Sequence, residues 1–460
     1  MWLLPLSLSA ALAEPPEPSE PTASTPPATL TPPSELQGDP DSPTSAAPAL
    51  STVPEVHANL DWQGHPAMHL TWKFFSRGLT DRTPPRSYRH RFRQIAERPW
   101  LEASGVRIFL MAAMAAEKAR NPEHARALIL KELAYVEAFV AAHPDGWALA
   151  KTPAEARTLL ATTDKRVVIH SIEGGHLLLS GPDDARFWAD QGVALITVMH
   201  LRDDELGGAG ILPMRVGPLI NPVGARRTRR GERRGLTERG AAAIVELDRA
   251  GILVDLSHMS PDTIDDALAV TRSHGIAPVV THGKLARLQH SDLAFRDDQV
   301  LEIVRQGGTF ALGISPSQLD PQFPTDEVPD DVCRSTVEMF AYHWDAVHQL
   351  LLAHADELVG SPADALTSAQ QTRLAVGWSS DWNGWIGHAA PVYGRGRCRP
   401  RAELPEPAST FDTRGLANPS LLPEQWAAME RLGYDLDPMW RSAERFLALW
   451  ERAYSNVTQK

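Results

Sequence analysis

The chain has 460 residues, enough for one large α/β domain or two ordinary ones, and its 43% hydrophobic content leaves ample apolar area for a core. The formal net charge is −12, and six acids without a single Lys or Arg (Glu14, Glu17, Glu20, Glu35, Asp39 and Asp41) carry about half of it in the first fifty-odd residues. The rest is only mildly acidic, which excludes a nucleic-acid binder.

The chain begins MWLLPLSLSAALA, an apolar run ending in the small-x-small pattern Ala11-Leu12-Ala13. Residues 1–13 therefore read as a signal peptide, although the basic stretch that normally precedes such a run is missing. The run is too short to anchor the chain, so we expect no transmembrane span and a periplasmic or extracellular product. Residues 14–54 are Pro, Ser, Thr, Ala and acid with almost no large apolar side chain. Such a segment cannot offset its ordering entropy and is expected to be a disordered linker. The folded unit is expected over 55–460.

Beyond the linker, short β-branched runs alternate with segments of helical spacing. Strands are expected at Val167–Ile172, Val193–Val198, Ile252–Leu256, Pro278–Thr281, Thr309–Ile314 and Leu374–Trp378. Between them, Thr237–Arg249 reads as a helix closed by Gly251, and Ser260-Pro261 opens another that Gly275 ends. Asp297–Arg305 is a third. Strand, helix and strand repeated six times or more imply crossover units and a parallel sheet. No Gly-rich phosphate loop follows the first strand, so a closed (β/α)8 TIM-type barrel is the better fit than a doubly wound sheet. A helical addition follows from about Glu424.

Active sites of such barrels lie just past the C-terminal ends of the strands. The segments there read Asp61-Trp62-Gln63-Gly64-His65-Pro66, Glu173-Gly174-Gly175-His176, His200, Ser257-His258, Thr281-His282 and Ser380-Asp381-Trp382-Asn383. One His at a strand end most often only hydrogen-bonds locally. Glu, His, His and Asp on strands three, five, six and eight make a constellation suited to a divalent metal.

IEGGH (Ile172–His176), GLTERG (from Gly235), GILVDLSHMS (Gly251–Ser260), VVTHGK and SSDWNG together resemble the membrane dipeptidase (renal-type) family of metal-dependent amidohydrolases, and HLRDDELGG (His200–Gly208) resembles its divergent bacterial members. The likeness runs over roughly residues 56–385. It implies hydrolysis of the amide bond of a small dipeptide or N-acyl amino acid by a metal-activated water, with one or two zinc ions. Glu173 would bridge two metals, which such sites hold about 3.5–4 Å apart, and His258 and His282 would complete the second site. Asp381 would shuttle the proton of the attacking water, and His200 would stabilise the oxyanion.

The first strand departs from the family, which has His-x-Asp or His-x-His where this chain has Gln63-x-His65. Both residues are carried as first-site ligands, but a neutral amide is a poor zinc ligand and the site is weakened. A competing register would use His57 and Asn59. The family's carboxylate-binding Arg, about a dozen residues past His282, is replaced by Leu293, with Arg287 and Arg296 as unaligned substitutes. A catalytically impaired barrel that serves as a binding or envelope-associated protein is therefore the alternative to an enzyme. Oligomeric state is not fixed by the residues, and a homodimer stays open.

Cys333 and Cys398 read equally as one bridge or two free thiols. The cluster Arg226, Arg227, Arg229, Arg230, Arg233 and Arg234 reads first as a solvated loop and second as a docking site for an anionic polymer or substrate. Trp62, Trp72, Trp378, Trp382 and Trp385 read as packing or as a pocket floor, and His69 and His170 as structural. His176 belongs to the motif but is assigned no chemistry.

Overall fold

The computed structural model describes residues 55–66, 97–114, 119–212, 217–315, 319–320, 327–383 and 387–458. The expected signal peptide, the expected linker, His69, Trp72 and Trp385 lie outside them. Nine parallel strands form one sheet: β1 Leu60–Gly64, β2 Ile108–Ala113, β3 Trp147–Ala150, β4 Arg166–Glu173, β5 Val193–Thr197, β6 Leu253–Asp255, β7 Val279–Gly283, β8 Thr309–Gly313 and β9 Val376–Ser379. β1 pairs with β2 on one edge and β9 on the other, while β2 also pairs with β4. That closes an eight-stranded (β/α)8 barrel from which only β3 is left over. β3 pairs with the first half of β4, from Arg166 to Ile169, and β5 takes the second half, from His170 to Glu173.

All six expected strands are present within one or two residues of their expected bounds. The helices follow their punctuation. The Ser260 hydroxyl accepts from the Thr263 amide to cap Pro261–His274, and Gly275 ends it in the left-handed region at φ 67°. Thr237 caps Glu238–Arg249 in the same way through the Gly240 amide.

Apolar residues of the first strands, Leu60, Trp62, Ile108, Leu110, Val167 and Ile169, form one cluster with Phe446, Leu447 and Trp450 of the last helix, Ser442–Thr458. This helix therefore buries its apolar face against strand residues that lie before the C-terminal strand ends. Arg157 holds the helix with Glu444 and Glu451, and Trp62 Nε1 donates to Ser442 Oγ at 3.3 Å. Polar residues are concentrated at the other end, where Glu173, Asp255 and Ser379 close their strands, Thr281 lies two residues before the end of β7, and all four are buried.

β1 is irregular. Its pairing with β2 slips between Asp61 and Gly64. Trp62 reaches the last helix, and the next residue, Gln63, reaches Glu173 across the barrel. Adjacent residues of an unbroken strand point to opposite faces, so the slip is what turns Gln63 inward.

Cys333 and Cys398 form a disulfide across 65 residues, between the segment before Val337–Ala353 and the loop after β9. Among the described residues no helix is long and apolar enough to cross a membrane. Closing a loop of that length constrains the unfolded chain by about 2–4 kcal/mol. The double variant Cys333→Ser/Cys398→Ser should therefore unfold at lower urea, with that loss in stability. Urea curves of the variant and the parent check it, and coincident midpoints would contradict the pairing.

Candidate metal centre

Glu173 ends β4, and its carboxylate is 1% exposed. The two glycines after it shape the turn. Gly174 has φ 97°, and a Cβ on Gly175 would lie 2.8 Å from Leu179 and 2.9 Å from the Val198 carbonyl. A side chain at either position would therefore strain or crowd the turn.

Five side chains meet it. Oε1 accepts from Gln63 Nε2 at 2.6 Å and lies 3.1 Å from His258 Nε2 and 3.6 Å from His282 Nε2. Oε2 lies 3.5 Å from His200 Nε2 and 3.7 Å from His65 Nε2. The structure thus gathers Gln63, His65, Glu173, His200, His258 and His282 from strand ends that are 219 positions apart at the extremes of the sequence, counting from Gln63 to His282. Asp381 joins through His65, whose Nε2 is 2.9 Å from Asp381 Oδ1.

Glu173, His258 and His282 offer one carboxylate oxygen and two imidazole nitrogens, all within 4.8 Å of one another. This donor set suits zinc. His282 is prepared for it by its neighbours. Thr281 Oγ1 lies 2.8 Å from His282 Nδ1, 2.8 Å from Asp255 Oδ2 and 3.0 Å from Gln63 Oε1. A hydroxyl holds one proton, so Thr281 accepts from His282 Nδ1–H and donates to an oxygen. That tautomer leaves His282 Nε2 unprotonated, 3.6 Å from Glu173 Oε1. Burial, with His258 beside it, also pushes the His282 pKa down to about 4, which keeps the ring neutral. His258 Nε2 is 2.7 Å from His282 Nε2 and must therefore be the donor of that pair. His258 Nδ1 is buried without a hydrogen-bond partner.

In this structure the first-site residues bond the carboxylates and backbone around them. The Gln63 amide nitrogen is committed to Glu173, and its oxygen faces Thr281. Reversing the amide would set a carbonyl oxygen 2.6 Å from a carboxylate oxygen. His65 Nδ1 donates to the Ala112 carbonyl at 2.8 Å, which aims Nε2 at Asp381 and Glu173. Burial works to lower the His65 pKa, but the Asp381 hydrogen bond and the two carboxylate charges outweigh it and hold it raised.

The supports around the site hold it under strain. His258, Asp381 and Asn383 have φ of 65°, 50° and 63°, and Leu201 beside His200 has 42°. Non-glycine residues seldom adopt this region, at a cost of about 1–3 kcal/mol each. Asp61 is fully buried, accepts from the Ser380 amide at 2.8 Å, and is driven by burial to a pKa of about 7. Asn383 Nδ2 donates to the His65 carbonyl at 2.6 Å, and His388 stacks on Trp382 at 3.9 Å.

The competing first-strand register is not at the site. His57 is half exposed and bonds Asp437, and Asn59 accepts from Trp378 Nε1. Arg287 is paired with Asp297 and Glu327, Arg296 with Asp265 and Asp298, and Leu293 is buried. His170 is fully buried, and burial lowers its pKa to about 4, as suits a structural residue. Trp62, Trp378 and Trp382 are core residues rather than an exposed pocket floor. Sequence reasoning missed Asp255 and Thr281 as supports. Asp255 accepts from Thr197, Ser257 and Thr281, and both residues lay inside the quoted segments GILVDLSHMS and VVTHGK.

Known proteins resemble the chain in sequence or in fold. An uncharacterized dipeptidase of Schizosaccharomyces pombe is 26% identical over 151 residues, 33% of this chain and 32% of the relative. A second from the same yeast is 40% identical over 76 residues, 16% and 17% of the two chains. The matches thus span a third or less of the curated relatives' length. Among solved structures, a metallo peptidase from Rhodobacter sphaeroides, liganded with a phosphinate mimic of the dipeptide L-Ala-D-Ala, superposes with a TM-score of 0.54 at 17% identity, covering 87% of this chain and 100% of the other. A probable dipeptidase from Pseudomonas aeruginosa gives 0.55 at 15% identity, covering 87% and 96%. At such identities the likeness speaks for the fold alone. The family model described as membrane dipeptidase (peptidase family M19) matches residues 79–355, well over half of the sequence, and the chain belongs to that family.

Proposed function

We propose that the protein hydrolyses the amide bond of a small dipeptide or N-acyl amino acid, using one zinc ion held by Glu173, His258 and His282. The observation that carries this is the convergence of those three donors, with His282 fixed as a neutral imidazole by Thr281. A zinc ion there would supply Lewis acidity and lower the pKa of a water toward neutrality. The remaining chemistry belongs to the chain. Asp381, oriented by His65 Nε2, takes the proton of the attacking water and returns it to the leaving amine. His200 turns Nε2 toward the same carboxylate as the ligands and donates to the oxyanion as charge develops. The buried walls exclude bulk water, which strengthens each of these interactions.

The count of one ion follows from Gln63. Its amide occupies Glu173 Oε1 by hydrogen bond and offers no anionic donor to a first site. The same residue favours the second reading, a barrel that binds without catalysis. The expected export to the periplasm or beyond is supported by the Ala11-Leu12-Ala13 pattern and by the Cys333–Cys398 bridge, which suits an oxidising compartment. With Leu293 at the family's carboxylate-binding spacing, the substrate panel must include amides that lack a free carboxylate.

Elemental analysis of the purified chain should give one equivalent of zinc, and Asp381→Asn should lower kcat on a cleaved substrate by about 10²–10⁴-fold while retaining the metal. A metal-free protein inactive on the whole panel sinks the hydrolase and leaves the binding reading. Two equivalents keep the hydrolase and overturn the single ion.

Thr281→Val removes the hydroxyl that orients His282, and zinc affinity, measured by competition with a chelator, should fall about 10–100-fold. Thr281→Ser should keep most of it. Equal affinity in Thr281→Val would remove Thr281 from the design of the site.

A further inference from the structure

Large apolar side chains that are highly exposed are few among the described residues: Leu219 at 78%, Val223 at 55% and Leu432 at 46%. Two of the three sit together, on the short helical turn Gly217–Ile220 and the helix Pro222–Arg229. The same stretch, 217–234, holds six arginines against one glutamate, a net charge of +5 in a chain of net −12. Arg226, Arg227 and the C-cap Arg230 lie three, four and seven positions after Val223, so they share its face of the helix.

Not all six arginines are available. Arg234 is buried and bonds Asp203, Asp292 and the Ala209 carbonyl, and Arg233 makes a two-fold bond with Asp266. Arg227 lies 3.5 Å from Asp203, and Arg230 lies 3.5 Å from Glu232 with both side chains largely in water. Arg226 and Arg229 are exposed, and neither meets a carboxylate among the described residues.

The stretch is also built rather than loose. Asn221 is 1% exposed, caps the helix through the Gly224 amide, and donates to Asp203 and to the Ala209 carbonyl. A Cβ on Gly224 would come within 2.8 Å of Asn221, Asp203 and Arg234, so the helix is clamped at its start. Asp203 is three residues past His200, and the next residue after Ala209, Gly210, donates its amide to the His258 carbonyl at 2.7 Å. The patch therefore belongs to the excursion that follows β5 on the site-bearing end of the barrel.

We propose that Leu219, Val223, Arg226, Arg227, Arg229 and Arg230 form a docking surface for a membrane rich in anionic phospholipid. A lipid surface accepts both halves of the patch. Aliphatic tips enter below the headgroups, and guanidinium groups meet the phosphates. A soluble polyanion gains nothing from Leu219 and Val223. A stable protein partner buries about 800 Å² per side around an apolar centre, more than two aliphatic side chains supply. Docking in this way turns the C-terminal strand ends, with their metal-ligand set, toward the bilayer. The proposal does not depend on the hydrolase reading, because its test contains no substrate.

The test is co-sedimentation of the full chain with phosphatidylcholine vesicles, with and without phosphatidylglycerol. The readout is the difference between the two, so that adsorption through the apolar N-terminus cancels. Binding is expected only with the anionic lipid and should be released by high salt. Each Arg→Gln change at 226, 229 or 230 should weaken it about fivefold, and the triple variant on the order of a hundredfold. Leu219→Ser/Val223→Ser should weaken it about tenfold or more. All five positions are exposed, and unchanged thermal midpoints verify that the variants fold. Equal sedimentation with neutral and anionic vesicles overturns the proposal, as does full binding by the triple Arg variant. Undiminished binding by the Leu219/Val223 variant overturns it in favour of a purely electrostatic polyanion site.

Discussion

A carboxylate buried at the centre of a barrel sets the terms for everything around it. Taking Glu173 out of water costs several kcal/mol unless donors replace the hydration it loses. The chain supplies them from the ends of strands that the sequence scatters over more than a hundred residues: an amide from β1 donates to it, and imidazoles after β5 and after β6 turn Nε2 toward it. Each donor is also a constraint on the strand that carries it. The barrel has to close with Gln63, His258 and His282 in register around Oε1, and His200 and His65 around Oε2, or the charge is left unpaired.

That demand explains where the fold departs from regularity. β1 slips in register so that Gln63 turns inward after Trp62 has already packed toward the last helix. His258 and Asp381 occupy left-handed backbone, and two glycines follow Glu173. The strain is sustained by rigid surroundings, with Asp255 tying β5, β6 and β7 together beneath the ligands through Thr197, Ser257 and Thr281. At the opposite end the last helix fills the space against Leu60, Trp62 and Ile169, so the polar end need not contribute an apolar core. Separation of the two tasks lets a strained, polar site sit on a stable base.

The barrel was legible because its signals are local. β-branched runs, N-cap Ser260 and Thr237, and the stop at Gly275 each act within a few residues, and the strands fell where those signals placed them. The ligands were legible as types at strand ends and as family motifs. What stayed hidden was relational. Nothing near Thr281 in the sequence says that its single hydroxyl proton decides the tautomer of His282, because the deciding partners are Asp255 and Gln63. Of the two registers for the first strand, Gln63/His65 was favoured on its flanking motif alone. The slip between Asp61 and Gly64 resolves them by sending Gln63 inward, while His57 is left half exposed beside Asp437. The cysteines could pair only once the loop after β9 had been laid beside the segment before Val337.

Gln63 then carries more meaning than a missing ligand. A histidine or carboxylate at that position would compete with the Glu173 proton donors or repel the carboxylate unless a cation lay between them. The amide does neither, since its N–H₂ stabilises Oε1 and its oxygen lies 3.0 Å from the Thr281 hydroxyl. Glu173 and Asp381 also face a common imidazole, His65, at 3.7 and 2.9 Å, whose pKa burial works to lower but the Asp381 hydrogen bond and the two carboxylate charges hold raised. The departure from the family pattern is therefore compensated within the site. A chain that had simply lost a ligand would leave Glu173 with no replacement at that position, and here the Gln63 amide donates to Oε1 while His200 and His65 stand 3.5 and 3.7 Å from Oε2.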